Sequence, residues 1–287
     1  MSEMGVLAFD IGATKTAWGC VDLTGKLGEH GSFPTAEQQE PFVDNLLQVI
    51  KKHSSAAIGI GMAGIISADH EDLVVCPNVP ALSHLQLVRL LREGGAPLTI
   101  LENDARCALI GEVWKGSAQE FSSAVLLTLG TGVGGAVMQK GTVLPHPQSI
   151  SLEIGRLIVD PTDIFPTTSG FGTVEALIGG RNLQERFGIS LADEAQRAGK
   201  GEAQSLEIWG YIAEYFHLCL ESVYAEYRCK TIIIAGKGVN NLSLYLGDKP
   251  PPCPVIAAVL GEQAGIFGAA RLALDIYEED KKEWYER

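Results

Sequence analysis

AVLLTLGTGVGGAVMQKGTVL, residues 124–144, decides the fold. It reads as an apolar strand, a glycine and threonine tip, a second strand and a Lys-Gly turn. The chain opens on the same plan. An apolar run, Val6-Leu-Ala-Phe9, leads into Asp10-Ile-Gly-Ala-Thr-Lys15, and the strand Thr16–Leu23 ends at the turn Thr24-Gly-Lys26. Aligning Gly12 with Gly130 places Asp10 opposite Thr128 and Thr14 opposite Gly132. One such hairpin arises easily, but two, each opening half of the chain, indicate an internal duplication and paired α/β lobes. The expected division is an N-terminal α/β lobe over 1–115 and a C-terminal α/β lobe over 116–287.

Working outward, apolar residues at Phe42, Leu46, Leu47 and Ile50 predict a helix, and Ile58–Met62 predicts a buried strand. A second helix is expected around Leu85–Leu91, ended by Gly94-Gly95, and then a strand over Leu98–Leu101. The stretch 105–116, ARCALIGEVWKG, is helix-compatible, so Asp104 falls where a strand hands over to a helix. Ligands gather at such strand ends in α/β folds, although a carboxylate there also serves as a plain helix cap. In the second half, Pro145–Gly180 is loop-rich and residues 202–227 are helical. The strand Thr231–Ala235 then enters Gly236-Lys-Gly238, and a last helix begins near Gly261.

Composition narrows the function. A chain of 287 residues with 46% hydrophobic content can bury a large core. A net charge of -13 excludes a protein whose work is to neutralise nucleic acid phosphates, so any phosphate must be gripped locally. No basic leader is present and no apolar run approaches the ~20 residues that span a bilayer, so a cytoplasmic protein without membrane contact is expected. Cys20, Cys76, Cys107, Cys219, Cys229 and Cys253 are far apart, lack CxxC spacing and read as reduced core thiols. The six histidines form no HxxxH pair, and no metal is assigned to the protein's own side chains.

Neither tip is a Walker A loop, because GxxxxGK[ST] is absent and each tip joins two strands; a GxGxxG fingerprint is missing too. Glycines at such tips let backbone N–H groups approach an anion, and threonine hydroxyls add donors. Two of them can hold a polyphosphate between them. Hairpin turns also use glycine for its own sake, and the Gly236-Lys-Gly238 turn by itself is a weak signal.

Taken together these stretches resemble the ROK family (repressor, open reading frame, kinase) of the actin, sugar kinase and heat-shock ATPase superfamily. Asp10–Lys15 is similar to its first phosphate motif, Leu129–Gly135 to the second, and Ala235–Val239 to its adenosine motif. Glu102-Asn-Asp104 is similar to the stretch with the catalytic Asp, and Glu153-Ile-Gly155 and Glu175 to the sugar-contacting stretches. The resemblance implies a duplicated actin-like, ribonuclease H-like fold, two lobes with a ligand cleft between them, and commonly a homodimer. It implies an ATP-dependent kinase acting on a hexose hydroxyl, the 6-hydroxyl for a glucokinase-like enzyme. An N-acetylmannosamine or other N-acetylhexosamine kinase is the alternative, and a catalytically silent sugar-binding regulator is a further one. The family's repressors carry a DNA-binding extension before the first phosphate strand, for which the residues ahead of Val6 leave no room.

In this resemblance Asp104 is the base, and Gly64, Asn78, Asn103, Glu153, Arg156 and Glu175 bind the sugar. Gly12, Thr14, Lys15, Thr131 and Gly132 cradle phosphates, Gly236 and Gly238 lie against the adenosine, and Asp10 holds Mg²⁺ through water. One departure stands out. Where the family has a His after Glu-Ile-Gly and a cysteine cluster holding structural zinc, this chain has Arg156 and Pro166-Thr-Thr-Ser-Gly-Phe-Gly-Thr173. Arg156 then pairs with Glu153 or Glu175, or touches substrate. Arg156, Pro166, Thr168 and Thr173 are poor zinc ligands, so the enzyme is expected to need Mg²⁺ and no structural zinc. Metal analysis of protein purified without added metal is expected to find zinc far below one per chain; stoichiometric zinc would contradict the reading.

Overall fold

The computed structural model describes residues 5–146, 153–167 and 169–285, with side chains up to 282. The chain forms two compact units, Met1–Gln119 with Glu262–Arg287, and Glu120–Gly261.

The first unit starts with the strands β1 (Val6–Ile11), β2 (Lys15–Val21) and β3 (Leu27–Pro34), then helix α1 (Gln39–Lys52) and β4 (Ala57–Met62). The short strands β5 (Ile65–Ile66) and β6 (Leu73–Val75) lead to α2 (Leu87–Glu93), β7 (Leu98–Asn103) and α3 (Asp104–Lys115). Its sheet runs β3-β2-β1-β4-β7, with β1 antiparallel to β2 and parallel to β4. Alternation along β1 sends side chains to two faces. Leu7, Phe9 and Ile11 pack with Phe42, Leu46 and Ile50 of α1 and with Leu87, Val88 and Leu91 of α2. Val6 and Ala8 pack on the opposite side with Cys107 of α3 and with Ile266, Ala269, Ala270 and Ala273. Strands covered on both faces read as continuous apolar runs, as VLAF and AIGIGM do.

The second unit repeats the arrangement. Its strands β8 (Ala124–Leu129), β9 (Val133–Gln139) and β10 (Thr142–Val143) precede helices α4 (Val174–Ile178), α5 (Gly180–Phe187), α6 (Leu191–Ala198) and α7 (Ala203–Tyr227). Then come β11 (Ile232–Ala235), α8 (Leu242–Leu246) and β12 (Val255–Ala257). The sheet order, β10-β9-β8-β11-β12, matches the first strand for strand in direction. The duplication expected from the two tips is therefore present as two copies of one topology. In the first, Ile11 pairs with Thr16; in the second, Leu129 pairs with Val133, so the second tip is one residue tighter. Helix α7 covers this sheet, with Ile212, Phe216 and Leu220 against Val125, Leu127 and Ile232.

The expected division needs one correction. Residues 262–287 do not belong with the second half, because the last helix, α9 (Ala264–Tyr285), packs in the first unit against β1, β4 and α3. Glycines make that packing close. A Cβ on Gly59 would overlap the Ala269 carbonyl oxygen, one on Gly268 the Cys107 carbonyl, and one on Gly111 the Ala264 carbonyl. Element ends also shift: α2 starts two residues later than expected, and the loop-rich stretch contains α4 and a 3-10 turn at Ile154–Arg156. The six cysteines are free thiols.

This contact yields a prediction. Gly59→Ala pushes a methyl into helix backbone that cannot swing aside, so the loss is expected near or above the ~1–3 kcal/mol typical of overpacking. Gly210→Ala, at an exposed site in α7 where a Cβ meets nothing within 4 Å, is expected to gain up to ~1 kcal/mol from helix propensity. Urea denaturation of both variants checks the contrast, and equal stabilities would refute it.

Candidate functional site

The first unit gathers one set of the expected residues at the ends of β1 and β7. Gly12, Thr14 and Lys15 are exposed on the tip, where the Gly12 N–H donates to the Lys15 carbonyl at 3.0 Å. Thr35, just past β3, braces the tip. Its hydroxyl donates to the Gly12 carbonyl at 2.8 Å, its N–H to the Thr14 carbonyl at 3.1 Å, and its Oγ1 lies 2.9 Å from that of Thr16. Lys15 Nζ pairs with Glu262 Oε2 at 2.7 Å. Both ends are largely exposed, so the pair is weak and easily exchanged for another anion.

Asp10, the last residue but one of β1, lies against the start of α9, where a Cβ on Gly265 would collide with its carboxylate. Its pKa is pushed up from 3.8 to about 7, by burial first and then by the Asp104 charge, with Lys15 opposing and Glu262 adding. Asp104 is the first residue of α3 and not its cap. The cap is Asn103, whose Oδ1 accepts the Arg106 N–H at 3.1 Å. The Asp104 Oδ1 accepts the Ala105 N–H at 2.8 Å. Burial raises the Asp104 pKa, and hydrogen bonds from Ala105, its own backbone and the Asn103 side chain pull against that rise. Asn103 Nδ2 also donates to the Gly64 carbonyl at 3.2 Å. Gly64 has φ 141 and a Cβ there would overlap the Val75 carbonyl, so glycine is required. Asn78 is exposed.

The second unit gathers the other set. The Gly130 N–H donates to the Gly132 carbonyl at 3.1 Å, and Thr131 is exposed. The first amides of α5 hold this tip: Gly180 donates to the Gly130 carbonyl at 3.0 Å and Arg181 to the Thr131 carbonyl at 2.9 Å. Glu175, in the first turn of α4, stands directly beneath. Its Oε2 accepts the Val133 N–H at 2.8 Å, its Oε1 accepts the Ser169 hydroxyl, and a Cβ on Gly132 would overlap Oε2. Asn182 Nδ2 ties Ser169 Oγ (3.1 Å) to the Glu175 carbonyl (2.8 Å). Gly236 (φ 76) and Gly238 pack on Leu129 of β8, where a Cβ on Gly238 would overlap the Leu129 side chain, so the tip and the Gly236-Lys-Gly238 turn adjoin.

Glu153 precedes the turn Ile154–Arg156, and its Oε1 lies 3.9 Å from Nε2 of the buried His146. Gly155 sits against the Val133 carbonyl and 3.5 Å, by its would-be Cβ, from the Glu175 Cβ. Glu175 therefore spends both oxygens on the tip and on Ser169. Of the positions replacing the zinc ligands, Thr168 lies outside the described residues. Thr173 caps α4. The loop is held by Arg186, which bonds Asp163 twice (2.7 and 3.0 Å) and lies over the Phe165 ring, and by Tyr215, which donates to Asp160 at 2.9 Å. Thr35, Glu262, His146, Ser169 and Asn182 carry no spacing signal in the sequence, and only the fold brings them to the site.

Twin sheets of this topology, each opening on a glycine tip, with carboxylates at the ends of β1 and β7 in the first, define the actin-like ATPase fold. Residues 6–276 match the ROK family, and the chain belongs to it. It is 28% identical to the N-acetylmannosamine kinase of Shigella flexneri over 94% of this chain and 98% of that one. The ROK hexokinase from Thermus thermophilus superposes with a TM-score of 0.80 at 27% identity, covering 96% of this chain and 99% of that one. A ROK glucokinase from Streptomyces griseus, solved with glucose and AMPPNP, shares the fold at a TM-score of 0.77 and 24% identity, over 94% and 99% of the two chains.

The raised Asp10 pKa has a signed consequence. The folded chain holds a proton that the unfolded chain releases between 3.8 and about 7, so stability falls as pH rises through that window and the full cost is present above it. Asp10→Asn removes the cost. The variant is expected to exceed wild type by ~1–2 kcal/mol at about pH 8, after discounting for solvent screening, with the gap closing towards about pH 4. Thermal midpoints across that range decide it; a variant less stable at every pH would refute the assignment.

Proposed function

We propose that the chain is an ATP-dependent hexose kinase that moves the γ-phosphoryl group to a sugar hydroxyl, the 6-hydroxyl of glucose or a close relative. N-acetylmannosamine or another N-acetylhexosamine is the alternative acceptor, favoured by the 28% identity to the Shigella kinase. The observation that carries the reading is Asp104: a carboxylate at a strand-to-helix turn whose burial raises its affinity for a proton.

Phosphoryl transfer runs through a loose transition state, so the protein's work is positioning and charge stabilisation. Asp104 takes the proton from the attacking hydroxyl and orients it. In this reading Gly64, Asn78, Asn103, Glu153, Arg156 and Glu175 are the sugar-binding residues, Glu175 acting through the Val133 amide that it holds in the second tip. Gly12, Thr14, Thr131 and Gly132 offer backbone and hydroxyl donors to phosphates, Lys15 exchanges Glu262 for a phosphate oxygen, and the turn Gly236-Lys-Gly238, seated on Leu129, lies against the adenosine in this reading. Asp10, crowded by the Asp104 and Glu262 charges, fits the Mg²⁺ that accompanies ATP. That ion supplies neutralisation of the phosphate charge. Among the described residues no helix is long and apolar enough to cross a membrane. The same reading places the enzyme in the cytoplasm as a homodimer.

A coupled ADP-release assay over hexoses and N-acetylhexosamines, with ATP or polyphosphate as donor, tests the activity. Asp104→Asn tests its centre: the amide still offers an oxygen to the Ala105 N–H, Asn103 still caps the helix, and only the base is gone. The expected result is a fall in kcat of roughly 10²- to 10⁴-fold with an unchanged thermal response to sugar. Near-normal kcat would exclude Asp104 as the base.

A further inference from the structure

Behind Asp104 lies a buried ionic clamp that the kinase reading does not use. Glu102, the last residue but one of β7, has a side chain 1% exposed. Its Oε1 accepts the N–H of Asn103 at 2.7 Å, and its Oε2 is bound by the Arg106 guanidinium and lies 3.4 Å from His70 Nδ1. Arg106 thereby grips the turn twice, through its guanidinium on Glu102 and its backbone N–H on the Asn103 side chain. Asp104 is enclosed between those two attachments.

The clamp reaches further through His70. This residue sits in the left-handed region (φ 60), donates from its N–H to the Ser67 carbonyl, and brackets Leu101 from both sides. The Leu101 N–H donates to the His70 carbonyl at 3.0 Å, and His70 Nδ1 lies 3.1 Å from the Leu101 carbonyl. His70 belongs to the loop that begins at Gly64, whose carbonyl receives Asn103 Nδ2. Glu71 of the same loop pairs with Arg92 of α2 at 3.0 Å. Residues 64–71 and the stretch 101–106 are thus joined by four polar contacts, two of them at Leu101.

A carboxylate buried this deeply is costly unless paired, and a pair of hydrophobic residues fills such space at no loss of stability. A clamp retained at that cost fixes geometry. We infer that Glu102, Arg106 and His70 are positioning residues for the phosphoryl transfer: they lock the backbone of the turn so that the Asp104 carboxylate is held at one angle, in fixed register with the Gly64 loop. This rests on the kinase reading. None of the three is assigned a contact with substrate.

Three full-length variants separate positioning from stability: Arg106→Met, Glu102→Gln and the double variant. The Asn103 cap uses the backbone N–H of residue 106 and survives in all of them. Arg106→Met leaves Glu102 unpaired and is expected to lower both the thermal midpoint and kcat. In the double variant neither charge of the Glu102–Arg106 pair remains, so the midpoint returns close to wild type, while kcat stays at least ~10-fold down because a small misplacement of a reacting group is expensive. The KM for the sugar, taken as D-glucose or N-acetylmannosamine according to which the wild type phosphorylates, is expected within about threefold of wild type, because Asp104 turns but the sugar contacts remain. A double variant with restored midpoint and full kcat overturns the inference and leaves the kinase reading standing. A wild type that phosphorylates no sugar of the hexose and N-acetylhexosamine panel sinks the kinase reading and the inference with it.

Discussion

The docking of α9 onto β4 and α3 is the contact on which the first unit depends. It is a backbone-to-backbone contact, made possible because Gly59, Gly111 and Gly268 present no side chains to the carbonyls of Ala269, Ala264 and Cys107. Close approach brings the start of α9 against the Asp10 carboxylate through Gly265 and sets Glu262 beside Lys15. The charge balance at the first tip is thus fixed by a segment more than two hundred residues away along the chain. The raised pKa of Asp10 follows from the same packing, since the helix that excludes water from the carboxylate also brings the Glu262 charge near it.

The two tips occupy equivalent places in equivalent sheets and are braced in different ways. Thr35 braces the first through a hydroxyl and an amide. The second is braced from below by Glu175 and from the side by the opening amides of α5. A carboxylate that accepts from Val133 and Ser169 together connects the tip to the loop that precedes α4. The Arg186–Asp163 bridge, flanked by Phe165, ties that loop to α5.

Much of this was legible in the sequence, for a physical reason. The strands are buried on both faces and therefore read as unbroken apolar runs, and each tip needs glycine where backbone must stay bare, so the repeat survives as a visible pattern at Asp10–Lys15 and Leu129–Gly135. The place of Asp104 at a strand-to-helix turn was legible because it comes three residues after such a run and opens a helix-compatible stretch. The helix cap was open in the sequence: Asn103 and Asp104 are both good caps, and the choice between them depends on where β7 stops, which is two residues beyond the apolar run. The return of α9 to the first unit left no trace, because an apolar helix pattern does not say which sheet it covers. Thr35, Ser169 and His146 were invisible for a related reason: a lone hydroxyl or imidazole acquires its role only from neighbours distant in sequence.

The discontinuity of the first unit also orders events during synthesis. The second unit is one unbroken stretch, Glu120–Gly261, and every strand of its sheet is synthesised before α9. The first unit emerges earlier but must wait. Until α9 arrives, one face of its sheet, with Val6, Ala8 and Ala57, has only α3 to cover it. A nascent chain therefore carries a half-covered sheet throughout translation of the second unit, an exposed apolar surface of the kind that chaperones bind. Early termination anywhere before Ala264 leaves that surface permanently open, so a truncated product is a substrate for degradation or aggregation even when the second unit is completely folded.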